Sequence, residues 1–163
     1  MKVKIGPFRG KKERKINIHI DEWDTWSMDH TLALIALPML KQLKETAHGS
    51  HMVDLDDVPV ELRYTSYGDW DSQRCFKFYH EDEKEDMLHQ RWEWVLDEMI
   101  FAMQEIVRDN DSQFYDNSKV KKGQSLDEQV KAMKCDWEGL KKYHDRIDNG
   151  CRLFGKYFQG LWD

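Results

Sequence analysis

Apolar positions along this chain change period several times, and each change marks an element. The segment Lys15-Ile16-Asn17-Ile18-His19-Ile20 alternates polar and apolar side chains, and Val3 and Ile5 do the same before Gly6-Pro7. Period two is the signature of a half-buried strand, so residues 1–20 predict a β-hairpin with GPFRGKKER as its turn. After Asp21 the period becomes about 3.6. Leu32, Ile35, Ala36, Met39, Leu40 and Leu43 fall on or near one face and predict a helix over 27–47, with Ser27 or Asp24 as N-cap and Gly49 just past its end. Pro38 should kink or split that helix, because it removes a backbone donor and crowds the preceding turn. In VDLDDVPVELR, Asp57 is placed to cap a short helix whose first turn suits Pro59.

The strongest helical signal covers residues 81–108, where Leu88, Trp92, Val95, Met99, Met103 and Ile106 form a stripe and acidic residues crowd the first turns. Between these helices, the alternation Cys75-Phe76-Lys77-Phe78 admits a short strand over 73–79 that joins the hairpin. Residues 109–124 are polar and read as an exposed loop. Ser125-Leu126-Asp127-Glu128 is a capping box that opens a helical segment over 125–162. Its apolar positions are Val130, Met133, Trp137, Leu140, Ile147, Cys151, Phe154, Phe158 and Leu161, with His144 as the one polar member of the series and a hydrogen-bonded interior position as its expected place. Either one long helix or two helices broken near Asn149-Gly150 fits that spacing. The predicted architecture is α+β, one domain over 1–163, in which a small antiparallel N-terminal sheet packs on about three main helices.

Composition changes the picture in two respects. Seven Trp and eight Met in a chain whose apolar share is 40% point to an aromatic, Met-rich core. The net charge of −6 divides into +6 over residues 1–15, −15 over 16–118 and +3 over 119–163. A basic arm beside an acidic middle fits either intramolecular complementarity or a surface for a phosphate-bearing partner. Cys75, Cys135 and Cys151 are odd in number and lack a CxxC pair, which argues against a disulfide framework and for a reducing cytoplasm. No apolar run reaches the roughly 18 residues of a membrane span, and the N-terminus lacks a signal-peptide core. No strong nucleic-acid signal is present.

Three constellations could carry chemistry. His89, Glu93 and Asp97 lie at i, i+4 and i+8, so they share a helix face that either is simply solvated or holds Mg²⁺ or Mn²⁺ with help from another helix. Trp23, Trp26 and His30 cluster at a strand-to-helix junction, where aromatic rings either stack a base or close the core. Arg146, Asn149, Arg152 and Lys156 gather on one face of the C-terminal segment, suited to phosphate or carboxylate recognition or to ion pairs with the acidic helix. No P-loop, GxSxG or Cys-His pair is recognisable, so no catalytic residue is assigned outside the His89, Glu93, Asp97 alternative.

The blocks DTWSMDHTLALIALPMLKQLKETAHGS, VDLDDVP, RWEWVLDEM and YHDRIDNGCRLFGKYFQGLWD, with MKVKIGP before them, resemble a family of proteins from tailed bacteriophages, T4-like and marine phages among them. The C-terminal block is the most specific. Longer members carry an insertion between MKVKIGP and the strand beginning RK, and HGSH here departs from the family's HGSP or HGAP. The resemblance implies a viral origin and the cytoplasm of an infected bacterium, without a particular chemistry. The expected function is a phage accessory protein that binds and sequesters a nucleotide-like small molecule or a host defence protein. The alternatives are a metal-dependent nucleotide phosphohydrolase using His89, Glu93 and Asp97, or a virion or assembly component; a homo-oligomer is compatible with each.

Overall fold

The computed structural model describes residues 1–8, 10, 13–63, 81–121 and 123–162, and of residues 81–86 the backbone only. Strands β1 (Lys2–Ile5) and β2 (Ile16–His19) form the small antiparallel sheet, with Val3 opposite Ile18 and Ile5 opposite Ile16. Because side chains alternate along a strand, this register puts Val3, Ile5, Ile16 and Ile18 on one face and Lys2, Lys4, Asn17 and His19 on the other. The Gly6 amide donates to the Lys15 carbonyl at 2.8 Å and closes the open turn. The strand expected at 73–79 lies outside the described residues.

Three helices carry the core: α1 (Met28–Thr46), then, after the short α2 (Val60–Arg63), the long α3 (Glu81–Arg108), and later α5 (Trp137–Lys156). Both α1 and α5 pack on α3 and scarcely touch each other, so α3 is the middle of the domain. Its stripe is buried as its period demands: Trp92, Val95, Leu96, Met99, Ala102 and Met103 are all inside. Helix α1 contributes Ala33 and Leu40 to that core, and α5 contributes Leu153, with Tyr157 just beyond it. Pro38 leaves α1 as one continuous helix rather than two.

The C-terminal segment differs from both readings of its sequence. The capping box forms, with Ser125 N donating to Glu128 at 2.9 Å, but it opens only α4 (Leu126–Ala132). The chain then breaks at Met133–Asp136, where β4 (Lys134–Cys135) pairs with β3 (Tyr115–Asp116) from the segment read as a loop, and Asp136 restarts the helix by accepting the Gly139 amide at 3.0 Å. Strand pairing satisfies backbone groups that a continuous helix would have needed. The apolar series therefore runs through separate elements, and Val130, Trp137 and Phe158 are exposed instead of core. His144 also lies at the surface, hydrogen-bonded to Asp111 through Nε2 at 3.0 Å. Gly150 continues α5 for a packing reason: a Cβ there would overlap the Glu98 carbonyl oxygen and sit 2.5 Å from Ala102 Cβ.

Backbone meets backbone at that point, so Gly150→Ala should destabilise the protein despite alanine's better helix propensity. Overpacking of this kind costs about 2 kcal/mol, a fall in Tm of roughly 4–8 °C for a chain this size, which circular dichroism melting would read. An unchanged or raised Tm would show that α3 and α5 can separate at no cost.

Candidate functional site

The cationic face on α5 is real, and its charges are engaged within the chain. Arg146 forms a fork on Glu98 of α3, with Nη2 at 2.7 Å and Nε at 3.1 Å, and its guanidinium lies 3.7 Å from the centre of the Phe101 ring. Arg152 and Lys156 turn to the segment before α2, not to the acidic helix. Arg152 reaches Asp57 at 2.8 Å and also donates to Asn149, while Lys156 pairs with Asp54 and Asp57, each at 2.5 Å. Tyr157 donates to the same Asp57 carboxylate at 2.6 Å and accepts the Asp54 amide at 2.9 Å.

Asp57 is thus a buried carboxylate with three donors rather than the expected helix cap. Burial alone would raise its pKa, but Lys156, Tyr157 and Arg152 together hold it below the ordinary carboxylate value. The Tyr157 hydroxyl is pushed up to about 12, first by burial and then by the carboxylate beside it. Lys156 is raised by Asp54 and Asp57. Bonded this fully, the arrangement is a structural tie between α5 and the loop before α2, not an open anion site.

His89, Glu93 and Asp97 are strung along α3 without converging. His89 Nδ1 meets Ser50 Oγ at 3.0 Å and its Nε2 lies 3.6 Å from Glu93, while Asp97 takes both bonds of Lys44 on α1 at 2.6 and 2.7 Å. Among the described residues no group of three His, Cys, Asp or Glu side chains is arranged to hold a metal.

The N-terminal junction is different, because its apolar groups stay largely exposed. Trp23 and Trp26 lie against each other with ring centres 5.0 Å apart, yet they are 71% and 79% exposed, so they do not close the core. With Glu22 they line an open hollow of about 210 Å³ at the end of a 3-10 turn over Glu22–Thr25. His30, half-buried in the first turn of α1, is near them in sequence but is not in that lining. The hairpin extends this surface. Its apolar residues Val3, Ile5, Ile16 and Ile18 are 42–65% exposed, and its other face carries Lys2, Lys4 and His19. Among the described residues Lys2, Lys4, Arg14 and Lys15 make no ion pair; the Met1 amino group bonds to Asp21 and Asp24, and His19 Nε2 meets Asp21 at 3.0 Å. The complementarity between basic arm and acidic middle is therefore not made through these side chains.

Alternation had singled out Ile16 and Ile18 as a strand's inward face; that this face stays displayed is a tertiary fact invisible in the pattern. Compared with known proteins, the chain matches no family model, no curated protein and no solved structure.

The Asp57 tie makes a pH prediction. A carboxylate whose pKa is depressed on folding stabilises the protein above its unfolded value near 4 and loses that contribution as pH falls through the folded value. Asp57→Asn should cost about 2 kcal/mol at pH 7 by removing the carboxylate that Arg152, Lys156 and Tyr157 share, although Lys156 keeps Asp54, and far less at pH 3. Urea unfolding at the two pH values measures it; an equal loss at both would refute the assignment.

Proposed function

We propose that this protein is a bacteriophage accessory protein that acts in the infected cell by binding a host protein, with the hairpin and the Trp23–Trp26 pair as its contact surface. The observation that carries the reading is the exposed apolar face of β1 and β2. A two-stranded hairpin is marginal in water unless its apolar face is covered, and its unpaired edges are a template on which another chain can add a strand. The adjoining tryptophans are the residue type most enriched at the energetic centre of protein interfaces. Unpaired Lys2, Lys4 and Lys15 would favour an acidic partner and speed its approach. Viral resemblance along most of the sequence makes a host defence component the partner class in view, and sequestration the mode of action.

A sequestered nucleotide draws less support. The cations that would hold its phosphates, Arg146, Arg152 and Lys156, are bonded to Glu98, Asp54 and Asp57, and a ligand would have to break those pairs.

A photoreactive side chain placed at Ile18 or Trp26 should cross-link one and the same host protein in infected cells, whereas one at Lys141 on the outer face of α5 should not. Trp26→Ala combined with Ile18→Lys should lower affinity for that protein by tenfold or more. Equal capture from Lys141, or no capture from the hairpin, would defeat the reading. Nucleotide binding that is seen by calorimetry and lost in Arg152→Ala would replace it.

A further inference from the structure

Helix α1 carries more apolar surface than the fold covers. Residues 32–40 read LALIALPML, nine apolar positions in succession, and a helix that is apolar around its circumference belongs in an interior. Ala33, Ala36, Leu37, Leu40 and Leu43 face the core formed with α3. At about 100° per residue, Met28, Leu32, Ile35 and Met39 fall within an arc of about 60° that adjoins the core side at Leu43. Met28, Leu32 and Met39 are 56%, 54% and 66% exposed. The steps of four, three and four are those of a coiled-coil seam, and among the described residues α1 packs mainly on α3, with the turn over Glu22–Thr25 beside its first residues.

We infer that this second seam is covered by a second copy of the same chain, α1 against α1 in antiparallel sense about a two-fold axis. Three observations select this occupant. The spacing reads the same in both directions, four-three-four, and so does the residue class, Met at the ends and a branched aliphatic residue at each inner position. A two-fold contact needs a patch complementary to its own reverse, and here Met28 meets Met39 of the partner subunit while Leu32 meets Ile35 of the partner subunit. The stripe itself holds no ionisable side chain: Asp29 projects about 60° from Leu32, and His30 and Lys41 lie about 150° or more from the centre of the stripe, so self-pairing sets no like charges face to face. Antiparallel pairing also opposes the two helix dipoles favourably.

Area sets the strength. From Met28 to Met39 the seam is about 18 Å long on a helix about 10–12 Å across, so it offers on the order of 300 Å² per chain, well below the ~800 Å² per partner of a standard interface. A contact of that size belongs with weak, reversible association. Because each chain carries −6, added salt tightens it, the reverse of what a partner drawn to the basic hairpin would show. The seam is separate from the hairpin and the Trp pair, so the dimer would present two copies of that surface.

Sedimentation equilibrium from 1 to 200 μM tests the inference on the full chain. Wild type should pass from monomer to dimer across that range, and Leu32→Lys or Ile35→Glu should each weaken association by at least tenfold with circular dichroism unchanged. The double variant L32K/I35E, which places opposite charges across the axis, should restore the dimer. Leu34→Lys, at an exposed residue about 130° from the centre of the seam, should not disturb it. On the unmodified chain, oxidation of Met28 and Met39 should be several-fold slower at the higher concentration. A wild type that stays monomeric, a double variant that fails to recover, an equal effect of Leu34→Lys, or concentration-independent oxidation would each overturn the inference.

Discussion

A 28-residue helix with a wide apolar circumference cannot stand in water, and α3 has to be covered along most of its length. The rest of the chain is arranged around that need. Helix α1 covers it through Ala33, Ala36, Leu40 and Leu43, and α5 through Leu153 and the close backbone contact at Gly150. Small residues at both contacts let the helices approach. Each flanking helix then has an outer side that α3 does not cover, and the two meet this differently. The outer side of α5 is charged, with Lys141–Asp145 and Lys142–Glu138 pairs along it. The outer side of α1 is apolar, and the hairpin and tryptophans that precede it are apolar too.

That asymmetry divides the molecule by role. The C-terminal half uses its polar chemistry internally: Arg146 with Glu98, Tyr143 with Glu105, Arg152, Lys156 and Tyr157 with Asp57. Little of that chemistry is left to meet a ligand. The N-terminal half leaves apolar and basic groups unanswered, which is the condition of a surface that works by contact.

Periodicity was a good guide to elements and a poor one to partners. The hairpin, α1 and the end of α3 at Arg108 were legible, because alternation and the 3.6-residue repeat report local geometry directly. The break at Met133–Asp136 was not, since it depends on β4 finding β3 some twenty residues earlier, and no local signal announces a two-residue strand. Whether Gly150 breaks the helix or continues it stayed open in the sequence for a related reason: a glycine that ends a helix and a glycine that admits a neighbouring backbone look alike in one dimension. The candidate site followed the same rule. Which cations share the face of α5 could be read from spacing, whereas their engagement by Asp54 and Asp57, about a hundred positions away, could not. Trp23 and Trp26 were visible as a cluster, but whether they point inward or outward was decided by what packs above them.

The distance between Asp57 and its donors has a kinetic consequence. Bonds from Asp54 and Asp57 to Tyr157 span 103 and 100 residues, so they close one of the longest loops in the domain. Such a loop is entropically costly to close before α3 and α5 have docked, and these bonds are expected to form on the native side of the folding barrier. Interactions made that late hold the native state against opening while leaving the rate of folding almost untouched. The C-terminal turn would then act as a latch, setting how long the assembled molecule persists more than how quickly it is made.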